Sequence, residues 1–404
     1  MAGQFVSMFG SMLVSHAVTW HITLQEQSGS LIALFTAAAM LPMVFVSPFA
    51  GVWADRYNRK YLVNAADTAI ALITLAVAIL YSLGFKSIWL LFITVAARSI
   101  GMGIQQPAVN ALIPQIVPEG HLARFNGIQG AAQSLTMFAA PMAAGALLTF
   151  LPLEHIFFID VFTAIVGIST VFFFVRVSKV PKQRESTAGI NAYIDEAKEG
   201  LHFIASQPWL KTLITASAIF GILASPAAML TPLQVARTFG DDVWRLTAIE
   251  IAFSGGMVAG GVLISIWTGF KNKTHTMILA WILFGITTVL FGVIANFWIY
   301  LGVMVLCGCA MPLYNTPSMT LMQTKIPPQL MGRVFSVIMV VNGLAMPLSM
   351  AVFGPLSDTM RIELLLIITG VLQLFGGFAL STHKELIQAG SEHPIENNQL
   401  GPFE

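Results

Sequence analysis

GVWADRYNRKYLV, residues 51–63, packs Asp55, Arg56, Arg59 and Lys60 into six positions. It is flanked by LIALFTAAAMLPMVFVSPFA (31–50) and YLVNAADTAIALITLAVAILYS (61–82), whose one charged residue is Asp67. A bilayer core about 30 Å thick takes about 20 apolar residues of helix, and each flank is that long. The charge cluster therefore reads as a turn at a membrane surface between two crossing helices. The same rhythm continues along all 404 residues, of which 56% are hydrophobic and only 10% charged, where soluble chains carry roughly 25%. Mean hydropathy is +0.79. Spans are expected near 2–24, 30–53, 61–84, 87–110, 124–150, 154–176, 209–236, 245–268, 274–294, 297–322, 331–356 and 362–382. The apolar runs are continuous rather than alternating, and an unclosed sheet would leave backbone groups unpaired in lipid. The expected fold class is therefore all-α, a polytopic membrane protein of about twelve transmembrane helices.

Lys and Arg placement sets the orientation. With a cytoplasmic N-terminus, Arg56, Arg59, Lys60, Arg124, Arg176, Lys179, Lys182, Arg184, Lys198, Lys211, Lys271, Lys273, Lys325, Arg333 and Lys384 all fall inside. Outside are Lys86, Arg237, Arg245 and Arg361, while Arg98 lies within a span. Both termini are thus expected in the cytoplasm of a cell whose cytoplasmic membrane holds the chain. Composition excludes neither a signal peptide nor a truncated start, but Met1 runs almost at once into apolar sequence without a basic flank, and the first run is taken as a span that lacks a few residues. Cys307 and Cys309 point to different sides of one helix and read as small buried apolar residues.

The longest polar interruption divides the chain into a six-helix half (1–176), a connector (177–208), a second six-helix half (209–382) and a tail (383–404) expected to be disordered. In the connector Ile190, Tyr193, Ile194, Ala197, Leu201 and Ile204 recur at helical spacing, opposite Asp195, Glu196, Lys198 and Glu199. That pattern predicts an amphipathic helix at the cytoplasmic interface. The halves also resemble each other. QQPAVNALIPQIVPEGHLARF (105–125) aligns with YNTPSMTLMQTKIPPQLMGRV (314–334), AAPMAAG (139–145) with AMPLSMA (345–351), and Trp53 with Trp267. Parallel repeats of this kind build many secondary transporters, with the substrate site between the halves. Two pseudo-symmetric bundles are expected.

These motifs resemble the major facilitator superfamily and, within it, the macrolide-efflux type. GVWADRYNRK is similar to the family's loop between helices 2 and 3: Gly51, Asp55, Arg56, Arg59 and Lys60 match, and Asn58 stands where glycine is usual, a residue that tolerates a left-handed turn. AARSIGMG (96–103) resembles the fourth-helix motif through Arg98, Gly101 and Gly103. AAPMAAG resembles the antiporter motif of helix 5, with Pro141 and Gly145 kept and Ala140 replacing a glycine. NAADTAIAL with Asp67, FFIDVFTA with Asp160, DEAKEGLHFIASQPWL and IPPQLMGRVFS are similar to the efflux subgroup. The resemblance implies two rocking six-helix bundles, a monomer, and a cytoplasmic gate in which Asp55 joins helix 2 to the inner end of helix 11. GPLSDTMR (354–361) mimics the gate motif but falls at the outer end of helix 11, so it is not counted as a second copy.

Asp67, Arg98, Asp160 and Glu250 are the charged residues that lie more than a turn inside the expected spans. Each costs about 2.5–3.5 kcal/mol at a helix centre, so a partner or a wet cavity is expected. Arg98 lies roughly 16 Å into its helix and keeps its charge, so it is expected to hold a carboxylate or an anion. Glu250 is the first candidate for a proton-coupling site and Asp160 the second, although a short acid near a helix N-terminus also satisfies free N–H groups. Asp67, about two turns inward from Lys60, is grouped with the gate. Gln4, Ser7, Ser11 and Ser15 form a polar stripe on helix 1 that either lines a substrate cavity or packs against a neighbour. The SGGMVAGG run (254–261) reads as close helix packing.

The combined reading is a proton-coupled exporter of hydrophobic or amphipathic molecules, with a small-molecule substrate, protons and the bilayer as its partners. No H-E-x-x-H, metal-ligand spacing or nucleotide loop appears, so no enzyme activity, metal or cofactor is expected, and nucleic acid is not an expected partner. The efflux subgroup includes exporters of drugs and of siderophores, which leaves the substrate open. Facilitated uptake and a non-transporting receptor are the competing functions.

Overall fold

The structure is a computed structural model that describes residues 2–117, 121–175 and 190–391. Among these residues the regular structure is helical: α1 (Ala2–Glu26), α2 (Gly29–Arg56), α3 (Arg59–Ser82), α4 (Ile88–Ile116), α5 (Leu122–Phe150), α6 (Leu153–Phe174), α7 (Ile190–Ser206), α8 (Pro208–Met229), α9 (Thr231–Thr238), α10 (Val243–Trp267), α11 (Lys273–Phe291), α12 (Phe297–Lys325), α13 (Pro328–Thr359), α14 (Ile362–Thr382) and α15 (Lys384–Gly390). Among the described residues eleven segments are long and apolar enough to cross a membrane, α8 and α9 together forming one of them. This is a multi-pass membrane protein. The first expected span, α1, is not among the eleven although its 25 residues would reach about 37 Å. Its polar stripe dilutes the hydropathy, and its neighbours α5 and α6 are themselves spans.

Short polar side chains start the helices. Ser28 Oγ caps α2 through Leu31 N, Asn58 caps α3 through Lys60 N, and Asn272 and Asn296 do the same for α11 and α12, each satisfying an N–H that has no partner in the helix. Asn58 has φ −65° and ψ 114°, so its role is to cap α3, not to supply the left-handed turn expected of it. The seventh expected span is broken at Leu230. Pro232 lies in the first turn of α9, and a proline lacks the N–H and crowds the carbonyl four residues back, which ends the preceding helix. Where a disordered tail was expected from residue 383, the chain first forms α15. Leu386 is fully buried, and Asn272 and Thr274 donate to the carbonyls of Ile387 and Leu386, both at 2.8 Å. These bonds satisfy groups at a helix end that would otherwise be open.

The chain clusters into two compact units. The first comprises Met1–Ile194, Met229–Ile251 and Met350–Thr359. Within it α1 packs on α5 and α6, α2 on α4, and α3 on α4 and α6. Small residues make the α1–α6 seam: a Cβ built on Gly10 would lie 2.0 Å from Thr163 Oγ1, and one on Gly167 would lie 2.7 Å from Ser7 Cβ. Close approach through small residues is how helices associate in lipid, where hydrophobicity offers no driving force between them.

The second unit comprises Asp195–Ala228, Ala252–Ser349 and Met360–Glu404. There α11 packs on α12, α14 and α15. The SGGMVAGG run performs the expected packing: Gly256 and Gly260 of α10 face the backbone of Val305 and Cys309 in α12, while Gly308 faces Phe253 O. Phe220 stacks on Tyr314 at 4.9 Å and meets Trp281 and Phe284 edge-on. The helical connector is present as α7, and its Glu199 bonds to Arg333, near the start of α13, while Gly200 abuts the carbonyl of that arginine.

Candidate functional site

Arg98 projects from α4 into the first unit and is 7% exposed. Its Nη1 donates to Asp160 Oδ2 of α6 at 2.5 Å and to Thr74 Oγ1 of α3 at 2.6 Å. Gly10 lets α1 come close enough for Ser11 Oγ to donate to Asp160 Oδ1 at 3.4 Å. Four helices thus converge on one buried ion pair. Charge-assisted bonds of this kind are roughly twice as strong as neutral ones, and a carboxylate that already faces a guanidinium has its charge balanced on site.

Asp67 is equally buried but differently served. Gln105 Nε2 of α4 donates to Oδ1, and Gln4 Nε2 of α1 reaches Oδ2 at a long 3.5 Å. No cation bonds to it among the described residues, and it lies within electrostatic reach of Asp160. Gln4 Oε1 and both polar atoms of Asn64, one turn before Asp67, are buried without a protein partner, and such groups call for a water or a ligand. The cluster therefore holds two carboxylates and one guanidinium. It carries one more anion than cation, with unpaired amide groups beside the unbalanced acid.

A second polar site lies where α1, α5 and α10 meet. Glu250 of α10 is part-buried and lies within electrostatic reach of His16 of α1. Nδ1 of His16 donates to Met12 O at 2.9 Å, since a carbonyl can only accept, and this leaves Nε2 for exchange. The ring meets Trp20 edge-on at 6.1 Å. One turn before Glu250, Thr247 seats against Gly145, where a Cβ would lie 1.8 Å from Thr247 Oγ1 and 3.1 Å from Trp20 Cζ3. Pro141 lies one turn earlier, inside α5 and buried. The helix-5 motif thus supplies the flat surface against which the Glu250 turn of α10 packs.

The other selected residues are placed as follows. Ser7 is buried on the α6 seam and Ser15 is exposed. Asp67, grouped with the gate, bonds among the described residues to Gln4 of α1 and Gln105 of α4. In the gate motif, Gly51 lies in α2, and the side chains of Asp55 and Arg56 lie outside the described residues. Lys60 Nζ donates to Phe172 O at 2.7 Å and sits over that ring at 5.4 Å, tying the start of α3 to the end of α6. Arg59 is the first residue of α3. Thr74, Gln105 and Thr247 are the partners that sequence reasoning passed over. Thr74, seven residues from Asp67 on the same helix face, and Gln105, a polar residue in an apolar run, were the available signals.

The profile described as Major Facilitator Superfamily matches residues 1–350. "Macrolide efflux protein A" of Streptococcus pyogenes is 26% identical over 374 residues, covering 92% of this chain and 91% of that protein. The protein of the same name from Enterococcus faecalis is 28% identical over 313 residues, 77% of this chain and 96% of that one. Among solved structures, a bacterial homologue of the iron transporter ferroportin in an inward-facing state has a TM-score of 0.70 at 16% identity, covering 94% of this chain and 97% of that one. A POT family transporter bound to a thioalcohol-conjugated peptide has a TM-score of 0.72 at 11% identity, covering 94% and 95%. At these identities the structural likeness speaks for the fold.

Proposed function

Because the chain belongs to the major facilitator superfamily, a family of membrane transporters and not of enzymes, we propose that it exports hydrophobic or amphipathic compounds of the macrolide type in exchange for protons. Alternating access in the cytoplasmic membrane, with both termini inside and a monomer as the working unit, is the mechanism. The relatives named for macrolide efflux over most of their length support the substrate class. The observation that carries the coupling is the charge balance of the buried cluster: Asp160 is neutralised by Arg98, while among the described residues Asp67 is met by the amides of Gln4 and Gln105.

A proton taken up at Asp67 balances that cluster, and its release restores the excess negative charge. Glu250 beside His16 offers a second exchange point on the α10 turn that packs against Gly145. Arg98 holds Asp160 and keeps the first carboxylate from competing for the same proton. The energy suffices: one proton driven by about 100 mV supplies about 2.3 kcal/mol and one pH unit adds about 1.4 kcal/mol, which together sustain a gradient of a few hundredfold.

The test is erythromycin efflux and substrate-induced proton movement in inverted vesicles, comparing the parent with Asp67→Asn and Glu250→Gln. The expected result is that at least one variant loses uphill transport yet retains downhill erythromycin exchange. Full proton-driven transport by both variants would remove these residues from the coupling step, and an absence of erythromycin movement in the parent would remove the substrate class.

A further inference from the structure

The GPLSDTMR segment closes α13 with the same Gly-x-x-x-Asp spacing that Gly51 and Asp55 give to the end of α2. Its aspartate has a definite task. Asp358 Oδ1 accepts from Gly29 N at 2.7 Å, and Oδ2 accepts from Ser30 N at 2.9 Å and Ser28 Oγ at 3.0 Å. The carboxylate therefore caps the start of a helix some 329 residues away in the chain, satisfying first-turn N–H groups and facing the positive end of the helix dipole.

Arg237, in the last turn of α9, clamps the junction. Its Nη1 donates to Ser357 O at 2.8 Å, its Nη2 lies 3.5 Å from Asp358 Oδ1, and Nη2 also donates to Gln27 O. Gln27 belongs to the short turn between α1 and α2 and has φ 46°, a left-handed conformation that is uncommon for a residue with a side chain. The two helices meet at backbone distance. A Cβ on Gly29 would lie 2.5 Å from Gly354 O, and a Cβ on Gly354 would lie 2.6 Å from Gly29 O.

We propose that Asp358 and Arg237 form an outer latch, holding the ends of α9 and α13 on the start of α2 during one half of the transport cycle and releasing them in the other. It lies at the end of α2 opposite the GVWADRYNRK turn, about 40 Å away along a helix of this length. It is thus the outer counterpart of the role that the family resemblance gives Asp55. Exposure makes it reversible: the Arg237 and Asp358 side chains are 32% and 28% exposed, so water replaces each lost bond as the latch opens. The Arg98–Asp160 pair, at 9% and 2%, has no such replacement and stays closed. The latch presupposes alternating access but no particular substrate.

Spin labels at Glu26 and Thr359, both exposed, in a Cys307→Ser, Cys309→Ser background report the separation of the latched ends in lipid nanodiscs. The expected result is a mainly short distance in the parent and at least about a fivefold rise in the long-to-short ratio in Asp358→Asn and Arg237→Gln, the lower end of usual coupling between conformations. A Ser28→Cys, Asp358→Cys disulfide in the same background is expected to block erythromycin efflux until it is reduced. An unchanged ratio in both charge variants overturns the latch, as does parental efflux with the disulfide fully formed. A latch that responds in the distance measurement while no erythromycin moves in any variant supports this inference and counts against the substrate assignment alone.

Discussion

Asp160→Asn tests the buried pair most directly. Arg98 and Asp160 are 7% and 1% exposed, and the guanidinium lies 2.5 Å from the carboxylate. Asparagine keeps the side-chain volume and one acceptor near Nη1, so the change removes the charge and little else. A guanidinium is then left facing α6 with neutral acceptors, the asparagine amide oxygen and Thr74 Oγ1, in place of its counter-charge. Stranding one member of a buried pair costs about 3–5 kcal/mol, and the retained acceptor places this case at about 3 kcal/mol. Arg98→Met strands Asp160 instead, with Ser11 alone to donate to it. The double variant has no buried charge at this position, so its cost should fall short of the summed single costs by about 2–3 kcal/mol, at the upper end of couplings between contacting residues. Reversible unfolding in mixed micelles, followed by far-ultraviolet circular dichroism, supplies the four free energies of the cycle. A coupling below about 0.5 kcal/mol, or an Asp160→Asn protein as stable as the parent, refutes the argument that this pair joins α4 to α6.

Three further outcomes follow. Gly260→Ala would put a Cβ 2.5 Å from Cys309 O, a backbone atom that cannot rotate away. It should cost about 1–3 kcal/mol, whereas Gly261→Ala, whose Cβ meets nothing within 4 Å, should stay within about 0.5 kcal/mol; unfolding of the two variants side by side decides it. Gly145→Ala should lower both stability and erythromycin export, with partial recovery on adding Thr247→Ala, because the nearest clash is with the Thr247 hydroxyl; no recovery would mean that α5 distorts for another reason. Asp55→Asn should reduce export while leaving membrane insertion intact, as measured by vesicle efflux and membrane fractionation, and unaltered export would reduce GVWADRYNRK to a topology signal.

The spans were legible because in lipid the backbone leaves one solution, a continuous apolar helix, and the polar breaks at residues 57–58, 83–87 and 268–272 stand out against it. The break at Leu230 was less visible, since Thr231 and Pro232 interrupt an apolar run without adding charge. The short helix at Lys384–Gly390 was hidden for the opposite reason: its composition is that of a tail, and its order comes from Asn272 and Thr274, more than 110 residues away. The intramembrane charges were picked out singly by their cost, but nothing in a one-dimensional pattern pairs Arg98 with Asp160 rather than with Asp67. The polar stripe on α1 was readable as a stripe, while its two carboxylate partners on α3 and α6 were not. Asp358 was set aside because its motif ends the wrong helix, and only folding shows that this helix end meets the start of α2.

The likeness between the two halves of the sequence does not extend to their buried charge. In the second unit the charged residues of the described spans lie close to helix ends: Lys211 and Lys273 in first turns, Arg333 in the second turn of α13, Lys325 as the last residue of α12 and Glu363 at the start of α14. Its interior is built from the Phe220, Trp281, Phe284 and Tyr314 rings and from glycine contacts between α10 and α12. The first unit holds Asp67, Arg98 and Asp160 deep in its spans and also claims the part of α10 that carries Glu250. A gene duplication that kept both copies equally charged would pay the desolvation cost twice. With Asp67, Arg98, Asp160 and Glu250 all in the first unit, the interior of the second is left apolar and aromatic, and apolar surface with a few polar groups is what the proposed amphipathic ligand needs from its site.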